Sequence, residues 1–325
     1  MGKRPSLDEK LSAVRRLREM PPSPQLMSEL RAALRDKSNL IVAAAAVIVG
    51  DQNQAELCPE LETAFDRCLV DPLKNDKLCR GKIAIIQSLD KLEHAQTNIF
   101  LRALQHVQLE PVWGGSEDTA APLRAAAILA LARLDYHGLL PLLVDSLTDP
   151  QKEVRIAAAQ ALGHHGSETA SLLLRLKARL GDKEPDVISE CLSALLTCSP
   201  QENLPFAGGF LDSGNPAIGE AAVLALGKSR LAGAFDLLKN CLEKHPIGLN
   251  EEIFLAIAML RLPAATDFLL QTVASKDERT ATLALSALLI YRYDPALRDR
   301  IAEAVGKSGS QTLRTKFELA AGPGD

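Results

Sequence analysis

The amino-acid sequence predicts an all-α protein, a right-handed superhelix of about eight stacked helix pairs. Apolar residues make up 47% of the chain and aromatic residues only 4%, a balance that suits closely packed helices better than strands. The 325 residues also exceed the usual size of one compact core. Finally, a helical pattern of apolar residues recurs along the chain. Its equivalent positions are Leu123, Val154, Val187 and Ile218, which are separated by steps of 31, 33 and 31 residues.

The clearest repeat runs over residues 149–180. Val154, Ala158 and Leu162 are spaced to lie on one face of a first helix. The glycines and histidines of 163–166 predict a turn, after which a leucine-rich second helix ends before a further glycine. One such pair buries too little surface to offset the entropy of ordering it. Neighbouring pairs are therefore expected to stack on one another.

The chain divides into three parts on this basis. Residues 1–35 are predicted to form charged capping helices, and residues 36–309 the repeat array. Residues 310–325 are predicted to form a C-terminal cap helix and a tail. Between two of the repeats the step lengthens to 44 residues, which predicts a loop insertion at 110–119.

The insertion contains Trp113, the only tryptophan of the chain, followed by two glycines. Tryptophan is enriched among the residues that dominate the energy of protein interfaces, so Trp113 is a candidate partner-binding residue. Arg124, just after the insertion, and Arg155, one repeat later, would add a cationic patch. The alternative is that Trp113 packs under the loop as an apolar contact and that both arginines are structural.

The structural role of the arginines follows from a second periodic signal. Asp118 lies six residues before Arg124, and Asp149 lies six residues before Arg155. An aspartate at the start of a helix accepts hydrogen bonds from its free N–H groups and favours the positive end of the helix dipole. An arginine six residues later can reach the aspartate of a neighbouring repeat. These four residues are predicted to form an Asp–Arg ladder.

The repeat units resemble HEAT repeats, in particular the short bacterial kind also found in phycocyanobilin lyases. The residues that carry the resemblance are Asp149, Pro150, Val154, Arg155, Ala158, Ala161, Leu162 and Gly163. It covers roughly residues 34–309. The resemblance implies that the aspartates and arginines form a ladder along the stack and that the second helices line a concave face. It specifies the fold and says little about function.

Composition and motifs exclude several functional classes. A net charge of −4 and a pI near 5.9 argue against a dedicated nucleic-acid binder. The longest apolar run, 40–49, is too short to cross a bilayer. The six cysteines form no CxxC pair, which indicates a reducing, cytoplasmic compartment and no metal site. No phosphate loop, HExxH or GxSxG motif is present, so we expect neither a cofactor nor a catalytic centre.

The sequence therefore favours a non-catalytic scaffold that binds a protein or peptide along its concave helical surface. The alternative is a bilin-lyase-like enzyme or enzyme subunit that shares the repeat. Deoxyhypusine hydroxylase, an enzyme with similar repeats, carries several His-Glu dipeptides for its iron pair. None of the six histidines here is followed by glutamate, so that assignment is rejected.

Overall fold

The computed structural model describes residues 6–244, 250–275 and 277–321. Within these ranges the chain is helical throughout, apart from turns and one pair of short strands. It forms two compact units, Met1–His165 and Gly166–Asp325, here called the first and second unit. In both units the helices pair along the chain, which confirms the all-α class predicted from the sequence. No helix in the described ranges is long and apolar enough to span a membrane.

The described residues of the first unit form ten helices and a two-stranded hairpin. In chain order its elements are α1 Leu7–Arg16, α2 Pro24–Leu34, α3 Asn39–Asp51, α4 Cys58–Leu69, α5 Pro72–Asn75, α6 Arg80–Lys91, α7 Thr97–Leu104, β1 Leu109–Val112, β2 Gly115–Asp118, α8 Ala121–Arg133, α9 Leu139–Ser146 and α10 Lys152–His165. Short 3₁₀ turns occupy Leu17–Glu19, Ala55–Leu57 and Lys77–Cys79.

The core of the first unit is a row of first helices, α3, α6, α8 and α10, each packed on the next. Ala45, Ala127 and Ala158 are fully buried in this row. Their methyl groups let the helix axes approach more closely than larger side chains would allow. At the α3–α6 contact the backbone of Gly50 lies so near Ser88 that an added Cβ would be 3.1 Å from its atoms.

Over its described residues, the second unit repeats this arrangement with ten helices. In chain order they are α11 Glu168–Leu180, α12 Pro185–Cys198, α13 Pro200–Gly208, α14 Pro216–Ser229, α15 Ala232–Lys244, α16 Asn250–Met259, α17 Pro263–Val273, α18 Glu278–Leu288, α19 Pro295–Ser308 and α20 Gln311–Ala321. A 3₁₀ turn follows α18 at Leu289–Tyr291. Here α12, α14, α16 and α18 form the central row, each packed on the next.

The structure differs from the sequence expectation at the end of α10. The glycines and histidines of 163–166 predict a turn there, yet the helix continues through His165, with Gly163 inside it. A glycine inside a helix costs only about 1 kcal/mol relative to alanine, which packing can offset. The residue that ends the helix is Gly166, whose φ of +64° suits glycine.

Helices occupy both of the predicted cap regions. In α1, Ser6 and Glu9 form a reciprocal capping box, and Ser23 caps α2. The last helix, α20, lies within the predicted C-terminal cap. The outermost parts of the two predicted caps, residues 1–5 and 322–325, lie outside the described residues.

Candidate interaction site

The segment that the sequence marks as an inserted loop contains an antiparallel β-hairpin. In it β1 pairs with β2, so that Leu109 lies opposite Asp118 and Val112 opposite Gly115. The turn between the strands consists of Trp113 and Gly114. Gly114 has a φ of +92°, a conformation that glycine adopts without strain. Sequence periodicity missed the hairpin because its four-residue strands, LEPV and GSED, carry a proline, a glycine and no clear apolar alternation.

The tip of the hairpin is apolar and open to solvent. Trp113 is fully exposed, with no surface covered by the rest of the chain. Val112, directly before the turn, is 45% exposed, and Val107 and Leu109, at the base of the hairpin, are each 57% exposed. The structure therefore contradicts the alternative in which Trp113 packs under the insertion. We call Trp113 and Val112 the hairpin tip.

Glu110 fastens the base of the hairpin to the helices. It is almost completely buried, and its Oε1 accepts hydrogen bonds from the Leu78 amide, Gln108 Nε2 and Thr119 Oγ1. Burial alone would raise the pKa of this carboxyl, but the hydrogen bonds from Gln108, Thr119 and Leu78 outweigh burial and lower it. The ionised form of Glu110 is therefore the one that fits the folded state.

Gln108 links the hairpin to a buried ion pair. Its side-chain amide donates to the Asp76 carbonyl at 2.9 Å, and its Oε1 accepts from Lys82 Nζ at 2.9 Å. Lys82 Nζ also lies 3.1 Å from the Asp76 carboxylate and 3.3 Å from the Cys68 carbonyl. Both charged side chains are completely buried. All three donors of the ammonium group therefore have partners, and Lys82 links Asp76, Gln108 and Cys68.

The backbone beneath the hairpin adopts an uncommon conformation. Leu78 and Cys79 both have positive φ, at +61° and +52°, in a region that side chains other than glycine rarely adopt. This bend aims the Leu78 amide at Glu110 and lets the Asp76 carboxylate cap the start of α6 through the amides of Gly81 and Lys82. The hydrogen bonds offset the cost of the bend and hold the hairpin at a fixed place.

Arg124 holds the second strand, β2, at the base of the hairpin. Its guanidinium group donates twice to the Asp149 carboxylate, at 3.0 and 3.1 Å, and lies 2.8 Å from Asp118, the last residue of β2. It also donates to the His106 carbonyl. The structure thus brings the side chains of Asp118, Arg124 and Asp149 together, and it adds the hairpin to the contact predicted for the Asp–Arg ladder.

Arg155 lies within α10 and is 4% exposed. Its Nη1 donates to the backbone carbonyls of Asp149 and Pro150 at 2.8 and 2.9 Å. Arg124 is buried to a similar extent, at 5%. Both guanidinium groups are therefore buried, and their predicted partner-binding role stays a prediction. Of the three candidate partner-binding residues, Trp113 alone is exposed.

Sequence reasoning missed Asp76, Lys82, Gln108 and Glu110. One signal pointed to Lys82: it falls four residues before Ile86 on the apolar face of α6, where a charged residue requires a buried partner. Nothing in the local pattern identified that partner, because Gln108 lies 26 residues further along the chain. Within the described ranges, no group of three or more His, Cys, Asp or Glu side chains could hold a metal ion.

Comparison with known proteins supports the repeat assignment. Residues 115–176 match the family model for HEAT repeats. No curated protein matches the chain by sequence.

Three solved structures are similar at low identity. The complex of CpcE and CpcF of phycocyanin lyase from Nostoc sp. PCC7120 has 18% identity and a TM-score of 0.36, over 89% of this chain and 94% of that one. Human deoxyhypusine hydroxylase has 18% identity and a TM-score of 0.31, over 79% and 91%. An engineered protein has 15% identity and a TM-score of 0.37, over 97% and 94%. Scores of this size assign neither an activity nor a partner.

The family match extends from β2 through α8, α9 and α10 into α11, and it therefore includes the clearest repeat of the sequence. The HEAT repeats predicted from the sequence are thus confirmed for residues 115–176.

Proposed function

We propose that this chain is a non-catalytic scaffold for protein–protein interaction and that the hairpin tip is its main partner-binding surface. The exposure of Trp113 carries the proposal. A tryptophan side chain has a large apolar surface, and leaving all of it in water is unfavourable unless a partner covers it. Trp113 is the one tryptophan of the chain, and it stands fully exposed at the end of an anchored hairpin.

The anchoring of the hairpin supports the same function. A side chain held on a fixed element loses little conformational entropy when it binds, so more of its contact energy becomes affinity. Glu110 holds β1 through its hydrogen bond with Thr119, and Arg124 pairs with Asp118 at the end of β2. The turn itself makes no packing contacts that binding would have to break: an added Cβ at Gly114 would meet no atom within 4 Å. The hairpin tip is therefore exposed and is carried on an anchored base.

The first prediction concerns Trp113→Ala. The side chain contacts nothing in the folded chain, so we expect a change in unfolding free energy of less than about 0.5 kcal/mol. Partner binding should weaken by about 2 kcal/mol or more, the loss typical of a central aromatic residue in an interface. Capture from cell extract followed by titration of the purified partner measures this. Trp113 also reports on the titration directly, because its emission moves to shorter wavelength when the ring is covered.

Tyr293→Ala is the matched control, since Tyr293 is an aromatic residue that is 82% exposed in the second unit. Trp113→Phe, which keeps an apolar ring, should retain part of the affinity. Retention of the same partners by Trp113→Ala would contradict the role of the hairpin tip. Transfer of a bilin chromophore by the purified chain would contradict the non-catalytic assignment.

A further inference from the structure

One helix of the second unit presents leucine to solvent along its length. On α11, Leu172, Leu176 and Leu180 are 60%, 54% and 76% exposed. They are spaced four residues apart, so they lie on one face of the helix. The opposite face, around Leu174, is fully buried within the unit. We call the three exposed side chains the α11 leucine face. Single exposed leucines are common, but a continuous apolar stripe marks an interaction surface.

Two arginines run along one edge of this stripe and are held in place. The guanidinium groups of Arg175 and Arg179 lie over the ring of Phe206, with the guanidinium carbons 4.9 and 5.3 Å from the ring centre. Arg175 also donates to Asn203 Oδ1 at 2.8 Å. Phe206 and Asn203 belong to α13, so the two helices together fix where the positive charges lie. Stacking of this kind orients a guanidinium group while leaving its N–H groups able to donate.

The remaining cation of this part of α11 is neutralised within the unit. Lys177 Nζ lies 2.8 Å from the Asp182 carboxylate, and both side chains are largely buried. Arg179, in contrast, is exposed. The positive charge beside the α11 leucine face therefore comes from the arginine edge. A ligand that covers the leucines would meet that charge along one side.

The spacing and the charge together define a partner. A stripe with a period of four residues over about 12 Å matches the side-chain rows of a second helix, the helix-in-groove mode of recognition. The arginine edge favours a helix whose apolar stripe is bordered by carboxylates. A second copy of this chain fits poorly, because antiparallel pairing of α11 with itself across a two-fold axis would bring the arginine edges of both copies together.

We infer that the α11 leucine face binds an amphipathic helix of a partner protein, with the leucines covered by its apolar stripe and Arg175 and Arg179 paired with its acidic residues. The inference deepens the proposed scaffold function, on which it rests, but it uses a surface of the second unit. The hairpin tip belongs to the first unit, so each surface can be tested without altering the other.

The test uses two labelled synthetic helices and the full chain. One peptide carries leucines four residues apart flanked by glutamates, and the other has lysines in place of the glutamates. Fluorescence anisotropy measures the affinity of each. The acidic peptide should bind at least about tenfold more tightly than the basic one. Equal binding of the two peptides, or no binding of the acidic peptide, overturns the inference.

Variants of the chain locate the binding surface. Leu176→Lys should weaken binding of the acidic peptide by about tenfold or more. Leu319→Lys, at a leucine that is 81% exposed on α20, should leave it unchanged. Arg179→Glu should reverse the preference between the two peptides. It is a cleaner change than one at Arg175, which also bonds Asn203. Equal losses in the Leu176 and Leu319 variants would overturn the inference.

Sedimentation of the unlabelled chain tests whether a second copy of the chain, and not a partner helix, covers the α11 leucine face. A dimer that Leu176→Lys abolishes would assign the α11 leucine face to a second copy and overturn the inference. The result for the α11 leucine face can be distinguished from the result for the hairpin tip. Failure of the peptides, with partner binding that still depends on Trp113, removes only this inference. Peptide binding without any Trp113-dependent partner removes only the role of the hairpin tip.

Discussion

Arg124 illustrates how one buried side chain joins segments that are distant in sequence. Its guanidinium group meets Asp118 at the end of the hairpin, Asp149 before α10 and the His106 carbonyl after α7. Two carboxylates and one carbonyl satisfy the charge and the N–H groups that burial would otherwise leave without partners. Burial lowers the pKa of this guanidinium, but the hydrogen bonds to Asp149 and Asp118 outweigh it and raise the pKa. Arg124 is therefore charged at every accessible pH.

Replacement of Arg124 by methionine should destabilise the first unit strongly. The substitution leaves the Asp118 and Asp149 carboxylates without their cation in a site where side-chain exposure is only 8% and 14%. Removing one partner of such a buried pair costs about 3–5 kcal/mol. Urea unfolding followed by circular dichroism measures the loss. Arg133→Met, at a half-exposed arginine on the same helix that pairs with Asp90, is the control and should cost about 1 kcal/mol or less.

Glu110 should make the attachment of the hairpin depend on pH. Its pKa in the folded chain lies below the ordinary value of 4.5, so its contribution to stability is complete above pH 4.5 and is lost as the pH falls through the lowered value. Glu110→Gln should therefore reduce the unfolding free energy by about 1.5–3 kcal/mol at neutral pH, and the difference should shrink well below pH 4.5.

Unfolding of the Glu110 variant at the two pH values by urea tests this dependence. Glu117→Gln is the control, because Glu117 lies directly opposite Glu110 on β2 but is exposed. It should change stability little at either pH. A constant difference between wild type and Glu110→Gln across the acid range would show that the charge of Glu110 is not what holds the hairpin.

At the scale of elements, the distance between neighbouring first helices is set by small residues. In the second unit α14 crosses α16 so closely that a Cβ added at Gly227 would lie 2.8 Å from the Ala256 Cα and Cβ atoms. No rotamer change can relieve a clash with backbone, so the two helices would have to move apart. Glycine therefore remains inside α14 despite its low helix propensity.

Gly227→Ala and Gly306→Ala should consequently have opposite effects. Gly227→Ala should destabilise the second unit by about 1–3 kcal/mol, because overpacking a tight contact forces the backbone to shift. Gly306 lies inside α19, and a Cβ added there would meet nothing within 4 Å. Gly306→Ala should therefore stabilise the chain by about 0.5–1 kcal/mol through helix propensity. Thermal melts of both variants test this prediction. A change of melting temperature in the same direction for both variants would refute the close approach of α14 and α16.

At the scale of the whole molecule, each unit is held together by contacts between consecutive helices. The central rows, α3–α6–α8–α10 in the first unit and α12–α14–α16–α18 in the second, consist of helices that each pack on the next. Stability in such an arrangement is close to a sum of repeat and nearest-neighbour terms. A defect in one helix–helix interface therefore removes the whole contribution of that interface to stability.

Ala158→Asp should introduce such a defect. Ala158 is fully buried in α10 where that helix packs on α8, and an aspartate there places an unpaired charge between the two helices. We expect a loss of several kcal/mol, about 3–5, visible as a lower melting temperature. Ala13→Asp, on the exposed side of α1 in the same unit, is the matched control and should melt close to wild type. A melting temperature of Ala158→Asp near wild type would contradict the packing of the row.

The sequence by itself determined the helix pairs, their recurrence and the positions of the small residues between them. These features are local, because the apolar period of each helix lies within its own residues. The same pattern then recurs in steps of roughly thirty residues. The sequence also identified Asp118, Arg124, Asp149 and Arg155 as a group, since their spacing repeats with the helices. It placed Trp113 in an insertion between two repeats but did not determine whether that side chain was buried.

Only the tertiary structure decided how the insertion folds and what fastens it. Leu78 and Glu110 are 32 residues apart, and Lys82 and Gln108 are 26 apart, so neither contact leaves a trace in local periodicity. The hairpin forms because its two ends are fixed by buried partners supplied by other segments, not because its short strands favour sheet. Exposure of Trp113 and of the α11 leucine face was likewise decided in three dimensions. The burial of a side chain depends on which other segments pack against it, and the residues next to it in the sequence do not determine that.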